Sequence, residues 1–105
     1  MKVHFTAIAA ATLIGAFGTQ AMAAAAITAK LQAPIEGRKK PVAGGAVFVC
    51  EADTCVASNP SGDTLSTSGC RDLARSVGAV ASYGSDAKQL AAEKLTACNA
   101  VAKKK

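Results

Sequence analysis

The sequence contains no tryptophan and one histidine, His4, and aromatic residues make up only 4% of it. His4 lies in an N-terminal segment that we expect to be removed, which would leave a mature chain without histidine. That absence excludes Ser-His-Asp and Cys-His catalysis and any histidine-ligated metal site. We therefore expect a protein that is not an enzyme and that has no cofactor and no metal.

The N-terminal residues follow the order of segments that is typical of a secretory signal peptide. Lys2 supplies a positive charge, residues 6–18 form an apolar run, and Ala21-Met22-Ala23 is a small-x-small cleavage site. The alternative is an uncleaved membrane anchor. However, Ala, Gly and Thr dominate the run, whereas a spanning helix needs roughly 20 strongly apolar residues. We expect cleavage after Ala23, no mature transmembrane segment, and a periplasmic or secreted location.

Cleavage would change the composition of the folded chain. Removing 23 of the 105 residues leaves 82, with 11 basic against 7 acidic residues and a net charge of +4. Phe48 and Tyr83 would be the remaining aromatic residues. A chain of this size with so few large side chains buries a modest core and needs covalent stabilisation.

The four cysteines can supply that stabilisation. They are Cys50, Cys55, Cys70 and Cys98. An even number of cysteines in a small exported domain is typical of a disulfide framework, and four of them allow three pairings. Cys50 and Cys55 would face each other across a hairpin whose loop is Glu51–Thr54. We favour Cys50–Cys55 together with Cys70–Cys98.

Two other uses of these cysteines fit the spacing less well. Structural zinc sites take ligands in close pairs, but 27 residues separate Cys70 from Cys98. A thiol–disulfide oxidoreductase normally carries C-x-x-C, which this sequence lacks.

The apolar patterning predicts an α+β fold, with a small antiparallel sheet of three or four strands, centred on the hairpin and packed by two helices. The predicted strands cover residues 27–33, 46–50, 56–57 and 79–83. The first predicted helix begins at Ser66, Thr67 or Ser68 and ends at Gly78, and Ser85 caps the second. We divide the chain into a signal peptide (1–23), an N-terminal strand and basic loop (24–44), a disulfide-stapled domain (45–102) and a basic tail (103–105).

Several fragments of the sequence together resemble a known family. They are Val47-Phe48-Val49-Cys50, Cys55-Val56-Ala57, residues 70–78, Val80-Ala81-Ser82-Tyr83 and residues 95–99. In these fragments the chain is similar to small exported four-cysteine proteins of alphaproteobacteria, a family of unknown function. The resemblance covers residues 45–102. It implies export and a four-cysteine domain, and it implies no mechanism.

Two polar motifs have simple structural interpretations. Glu51 and Asp53 are carboxylates near Thr54, and paired carboxylates can perform acid–base chemistry or bind calcium. An exposed turn also favours aspartate, so we interpret the pair as part of a turn. Ser85 and Lys88 match the S-x-x-K motif of penicillin-binding enzymes. The partner motifs of those enzymes are missing and the chain is too small for their fold, so we interpret Ser85 as a helix cap.

Basic residues occur in two clusters that are candidate contacts for anions. The clusters consist of Arg38, Lys39 and Lys40, and of Lys103, Lys104 and Lys105. Such clusters attract polyanions, although a solvated loop and tail explain them equally simply. No aromatic residue is interleaved with the charges, so nucleic-acid binding lacks support.

Together these features favour a non-enzymatic structural or binding module of the cell envelope. Its expected partners are envelope polyanions or another exported protein. The alternative is an inhibitor or regulator of an exported enzyme, with Glu51–Thr54 as the presenting loop.

Overall fold

The computed structural model describes residues 25–103, so the predicted signal peptide, Lys104 and Lys105 lie outside the described part of the chain. Two helices and seven strands follow one another within it. In chain order they are β1 (Ile27–Leu31), β2 (Arg38–Lys39), β3 (Val42–Ala43), β4 (Ala46–Val47), β5 (Val49–Glu51), β6 (Thr54–Ala57), α1 (Thr67–Val77), β7 (Val80–Gly84) and α2 (Ala92–Asn99).

Five of the strands form one antiparallel sheet in the order β2-β5-β6-β1-β7. The side chains of Ile27, Ala29 and Leu31 are buried, whereas Thr28 and Lys30 between them are more exposed. This alternation is the one that the sequence predicts for a half-exposed strand. The α+β fold with a small antiparallel sheet and two helices is confirmed, although this sheet has five strands and not the three or four expected.

The hairpin of β5 and β6 has a shorter loop than the four residues expected. Glu51 pairs with Thr54 and Cys50 with Cys55, which leaves a two-residue loop of Ala52 and Asp53. Ala52 has a positive φ of 55°. A positive φ at the first loop position is the pattern of a type II′ turn, which favours glycine there.

The predicted central strand over residues 46–50 is divided in two. Phe48 lies between β4 and β5, is fully buried, and donates its N–H to the carbonyl of Pro41 at 2.8 Å. β4 pairs instead with β3 in a separate two-stranded sheet. The prediction of one strand was wrong because burial of Phe48 turns the chain from one sheet to the other.

The basic segment is also not entirely a loop. Arg38 and Lys39 form β2 and pair with Glu51 and Cys50 of β5. This strand lies at the edge of the sheet, where basic side chains oppose further strand addition.

Helix α1 begins and ends where its capping residues predict. The hydroxyl of Ser66 accepts the N–H of Gly69 at 3.0 Å, and Gly78 follows the last turn with a positive φ of 114°. The buried residues are Gly69, Cys70, Leu73 and Ala74. Cys70, Leu73 and Ala74 form one apolar face of the helix, and Val77 at its end is partly buried.

Ser85 does not cap the second helix, contrary to the prediction. Helix α2 begins at Ala92, and its N-cap Ala91 makes no side-chain hydrogen bond. The Ser85 hydroxyl accepts the N–H of Lys88 at 3.2 Å, and the Ser85 N–H donates to the Lys88 carbonyl. The two residues therefore close a turn rather than form a helix start.

Both favoured disulfides are confirmed. Cys50 and Cys55 lie opposite each other with Cα atoms 4.0 Å apart, and Cys70 joins α1 to Cys98 of α2 with Cα atoms 5.6 Å apart. All four cysteines are fully buried, and Cys98 is the buried residue of α2. The second disulfide thus lies in the core, and Leu95 of the same helix packs against that core while only partly buried.

Candidate ligand-binding cleft

A cleft of about 530 Å³ lies beside the C-terminal end of α1, and we call it the α1 cleft. Three stretches of chain that are distant in sequence form it. Its lining residues are Gln32, Ala33, Pro34, Ile35, Glu36, Lys39, Ser76, Val77, Gly78, Ala79 and Lys103.

One wall is the segment that follows β1, and backbone hydrogen bonds hold it in place. The Gln32 N–H donates to the Ala79 carbonyl at 2.9 Å, and the Ile35 N–H donates to the Ala52 carbonyl at 2.9 Å. Ile35 also packs against the hydrophobic core. The hairpin loop thus fixes the position of this wall.

The opposite wall is the end of α1 and the tail that crosses it. The N–H groups of Gly78 and Lys103 both donate to the Ala74 carbonyl at 2.9 Å. The first of these bonds caps the helix, and the second attaches the C-terminal segment to it. Lys103 is therefore held at the cleft by its backbone.

The positively charged residues of the α1 cleft come from both predicted basic clusters. Lys39 and Lys103 line it together with Glu36, and all three are exposed. The two lysines exceed the single carboxylate by one positive charge. The fold thus brings together two cations that are remote in sequence, at a concave surface.

The other predicted anion contacts have different surroundings. Arg38 lies 3.3 Å from the Glu51 carboxylate across the β2–β5 pair, and Lys40 is exposed but does not line the cleft. Lys104 and Lys105 lie outside the described residues. Lys39 and Lys103 are therefore the two basic residues of the predicted set that we assign to the cleft.

The apolar lining was not predicted from the sequence. Ala33, Pro34, Ile35, Val77 and Ala79 all face the cleft. The residues before the basic segment show no periodic pattern beyond the strand, so only the fold reveals that they meet the end of α1. The sequence offered one signal: Val77 is an apolar residue at the end of the predicted helix, directly before Gly78, which terminates it.

The tip of the main hairpin carries carboxylates that are paired with cations. Asp53 lies 3.8 Å from Lys30 and accepts the Thr54 hydroxyl at 3.1 Å, and Glu51 lies beside Arg38. The carboxylates therefore belong to exposed cross-strand ion pairs, whose stabilisation is about 0–1 kcal/mol each. This arrangement agrees with the interpretation of the tip as a turn.

Tyr83 is a buried residue whose role is structural. Its hydroxyl donates to the Thr64 carbonyl at 2.7 Å, and its ring lies 6.0 Å from that of Phe48. Burial and, secondly, the charge of Asp72 raise the pKa of Tyr83. The phenol therefore stays protonated as a hydrogen-bond donor in the core.

Three further properties of residues 25–103 bear on the type of site. These residues contain no cluster of three or more histidine, cysteine, aspartate or glutamate side chains placed to hold a metal ion. All four cysteine sulfurs are committed to disulfides. No helix in this part of the chain has the length and apolar content needed to span a bilayer.

Comparisons with known proteins give a family but no activity. No curated protein and no solved structure matches the chain. The sequence profile of DUF8200, described as a family of unknown function, matches residues 7–100. That range includes all four cysteines and Lys39, whereas Lys103 follows its end. Since the match covers most of the sequence, the chain belongs to the family of unknown function DUF8200.

Proposed function

We propose that this small disulfide-stabilised protein is a non-enzymatic binding module of the cell envelope that binds anionic partners at the α1 cleft. The observation that carries this proposal is that Lys39 and Lys103, from separate basic clusters, line one cleft. Cations that converge on a concave surface attract anions more strongly than the same charges spread over the protein.

Export is part of the proposal and has its own support. The N-terminal sequence has the order of a signal peptide, and both pairs of buried cysteines form disulfides. Disulfides persist in oxidising compartments, so a periplasmic or secreted location fits the framework. Cell fractionation with intact-mass measurement tests this step. We expect an exported chain that lacks residues 1–23 and weighs about four protons less than its reduced form, since each disulfide removes two hydrogens.

The anion-binding step can be tested on a heparin resin, which serves as the polyanion probe. Salt screens the attraction between exposed charges. The Lys39→Ala/Lys103→Ala variant has fewer positive charges at the cleft, so we expect it to elute at a lower salt concentration than the wild-type protein. The matched control is Lys88→Ala/Lys94→Ala, which removes two exposed lysines that do not line the cleft. Equal shifts for both variants would mean that net charge, rather than the cleft, determines binding.

A second candidate function is inhibition or regulation of an exported enzyme through the hairpin tip. The observation in its favour is the fixed position of the tip, since the carbonyls of Ala52 and Asp53 accept the N–H groups of Ile35 and Leu31. Co-purification with one specific enzyme would support this function. The Glu51→Ala/Asp53→Ala variant should then lose the enzyme, and retention of binding would contradict a role for the tip.

A further inference from the structure

We infer that the α1 cleft binds a single-chain carboxylate, a medium-chain fatty-acid anion, with its chain on the apolar lining and its head group at Lys39 and Lys103. This inference rests on the proposed function, since it needs the α1 cleft to bind anions, and it names the ligand class.

The lining favours a ligand with an apolar part. Ala33, Pro34, Ile35, Val77 and Ala79 outnumber the charged residues of the cleft. An acidic polysaccharide carries polar groups along its whole length and buries little apolar surface against such a lining. A hydrocarbon chain that leaves water gains about 0.8 kcal/mol for each buried CH₂ group.

The charge of the cleft favours a single negative charge on the ligand. Lys39 and Lys103 face one carboxylate, that of Glu36, which leaves an excess of one positive charge. Its volume of about 530 Å³ lies within the range of small-molecule sites, which are mostly apolar with a few polar groups that fix the orientation. A monoanion with one chain matches both properties.

The end of α1 determines the direction of the ligand. A helix C-terminus carries partial negative charge and disfavours a neighbouring anion. Val77 lies at this end, and Lys39 lies on β2. The chain therefore lies against Val77, and the carboxylate lies on the side of Lys39. Lys103, whose N–H bonds to Ala74 at the helix end, is a cation that offsets the partial negative charge there.

Amide chemical shifts of the full-length, disulfide-bonded protein, recorded by ¹H–¹⁵N NMR, test this inference with three small probes. Octanoate has both chain and charge, octanol has the chain, and acetate has the charge. We expect octanoate to shift the amides of Ile35, Val77, Gly78 and Ala79 in a saturable way. We expect it to bind at least about tenfold more tightly than either other probe, a difference of about 1.4 kcal/mol.

Two variants separate the parts of the site without disturbing the fold. Lys39→Ala/Lys103→Ala alters two exposed side chains and should reduce octanoate binding to the level of octanol. Val77→Thr keeps the shape of a partly buried side chain and should weaken octanoate binding while leaving acetate unchanged. Lys88→Ala/Lys94→Ala is the control and should bind octanoate as the wild-type protein does.

The outcomes distinguish this inference from the proposed function. If acetate and octanoate bind equally at the cleft, the anion site stands and the fatty-acid inference is wrong. If octanoate shifts no cleft amide while heparin binding still depends on Lys39 and Lys103, the partner is a polyanion and the inference is again wrong. If the protein co-sediments with phosphatidylglycerol vesicles but octanoate shifts no amide of the cleft, the contact is with a membrane surface and the fatty-acid inference is wrong.

Discussion

Ala52 adopts a backbone conformation that is unfavourable for alanine, at the first position of the β5–β6 loop. Its φ is 55°, and it is the non-glycine residue with positive φ within residues 25–103. A left-handed conformation costs an L-residue about 1–2 kcal/mol, whereas glycine pays only about 0.5–1 kcal/mol in added chain entropy. The alanine persists because hydrogen bonds hold the loop: the Ala52 carbonyl accepts the N–H of Ile35, and the Asp53 carbonyl accepts the N–H of Leu31 at the end of β1.

We therefore predict that Ala52→Gly raises the free energy of unfolding by about 0.5–1 kcal/mol, since the relief of strain exceeds the entropic loss. Urea denaturation followed by circular dichroism measures the change. The control Ala81→Gly alters an exposed residue of β7 and should lower stability by about 0.5–1 kcal/mol. A loss of stability in Ala52→Gly would show that the loop is unstrained.

The raised pKa of Tyr83 predicts how the free energy of unfolding depends on pH in the alkaline range. Burial and, secondly, Asp72 raise its pKa, whereas an unfolded tyrosine titrates near pH ~10. The unfolded chain thus loses the phenol proton first, so the contribution of Tyr83 is complete below pH ~10 and falls as the pH rises above it. Urea denaturation at several alkaline pH values, with the ultraviolet absorbance of tyrosinate, measures this loss.

The variant Tyr83→Phe provides the comparison. It removes the hydrogen bond to the Thr64 carbonyl, which still accepts the N–H of Ser66, and should lower stability by about 0.5–1.5 kcal/mol at neutral pH. Its stability should then decline less steeply above pH ~10 than that of the wild-type protein. Identical declines in the two proteins would show that the alkaline effect does not come from Tyr83.

Among the elements, those with local signals were predicted best. Helix α1 begins after Ser66 and ends before Gly78, as these residue types predict. Along Ile27–Leu31, buried and more exposed side chains alternate, as expected for a half-exposed strand. Other elements depend on distant contacts: Phe48 divides residues 46–50 because it is buried and bonded to Pro41. Ser85 is a suitable cap by type, but its turn with Lys88 competes with a helix start. Local propensity cannot resolve such cases, because tertiary contacts decide them.

The two disulfides should differ in their contribution to stability. Cys70 and Cys98 are 28 residues apart and Cys50 and Cys55 only 5, and a longer loop restricts the unfolded chain more. We predict that Cys70→Ala/Cys98→Ala lowers the free energy of unfolding by about 3–4 kcal/mol and Cys50→Ala/Cys55→Ala by about 2 kcal/mol. Denaturant titrations of both double variants measure the two values. The reverse order would mean that packing around the hairpin outweighs loop length.

On the scale of the whole molecule, the sequence predicts the candidate site only in part. The basic clusters that contain Lys39 and Lys103 are visible as candidate anion contacts, because charge is a property of composition. Their convergence is not visible, since it depends on the bond from the Lys103 N–H to the Ala74 carbonyl. The apolar lining has the same origin, because Ile35 and Val77 meet only after β1 and α1 have packed on the same core.

The path of the chain from α2 to the cleft predicts a coupling between a disulfide and ligand binding. Cys98 is the buried residue of helix α2, and Asn99 exchanges two hydrogen bonds of 2.8 Å with Val80. The Cys70–Cys98 disulfide is the covalent anchor of the segment that ends at Lys103. We predict that Cys70→Ala/Cys98→Ala keeps its sheet but binds heparin as weakly as Lys103→Ala, because release of α2 removes Lys103 from the α1 cleft. The salt concentration at which the variant elutes from heparin resin tests this coupling. Circular dichroism first establishes that the sheet of the variant is folded. If the folded double variant elutes at the same salt concentration as the wild-type protein, the hydrogen bond from the Lys103 N–H to the Ala74 carbonyl holds the tail even when α2 is released.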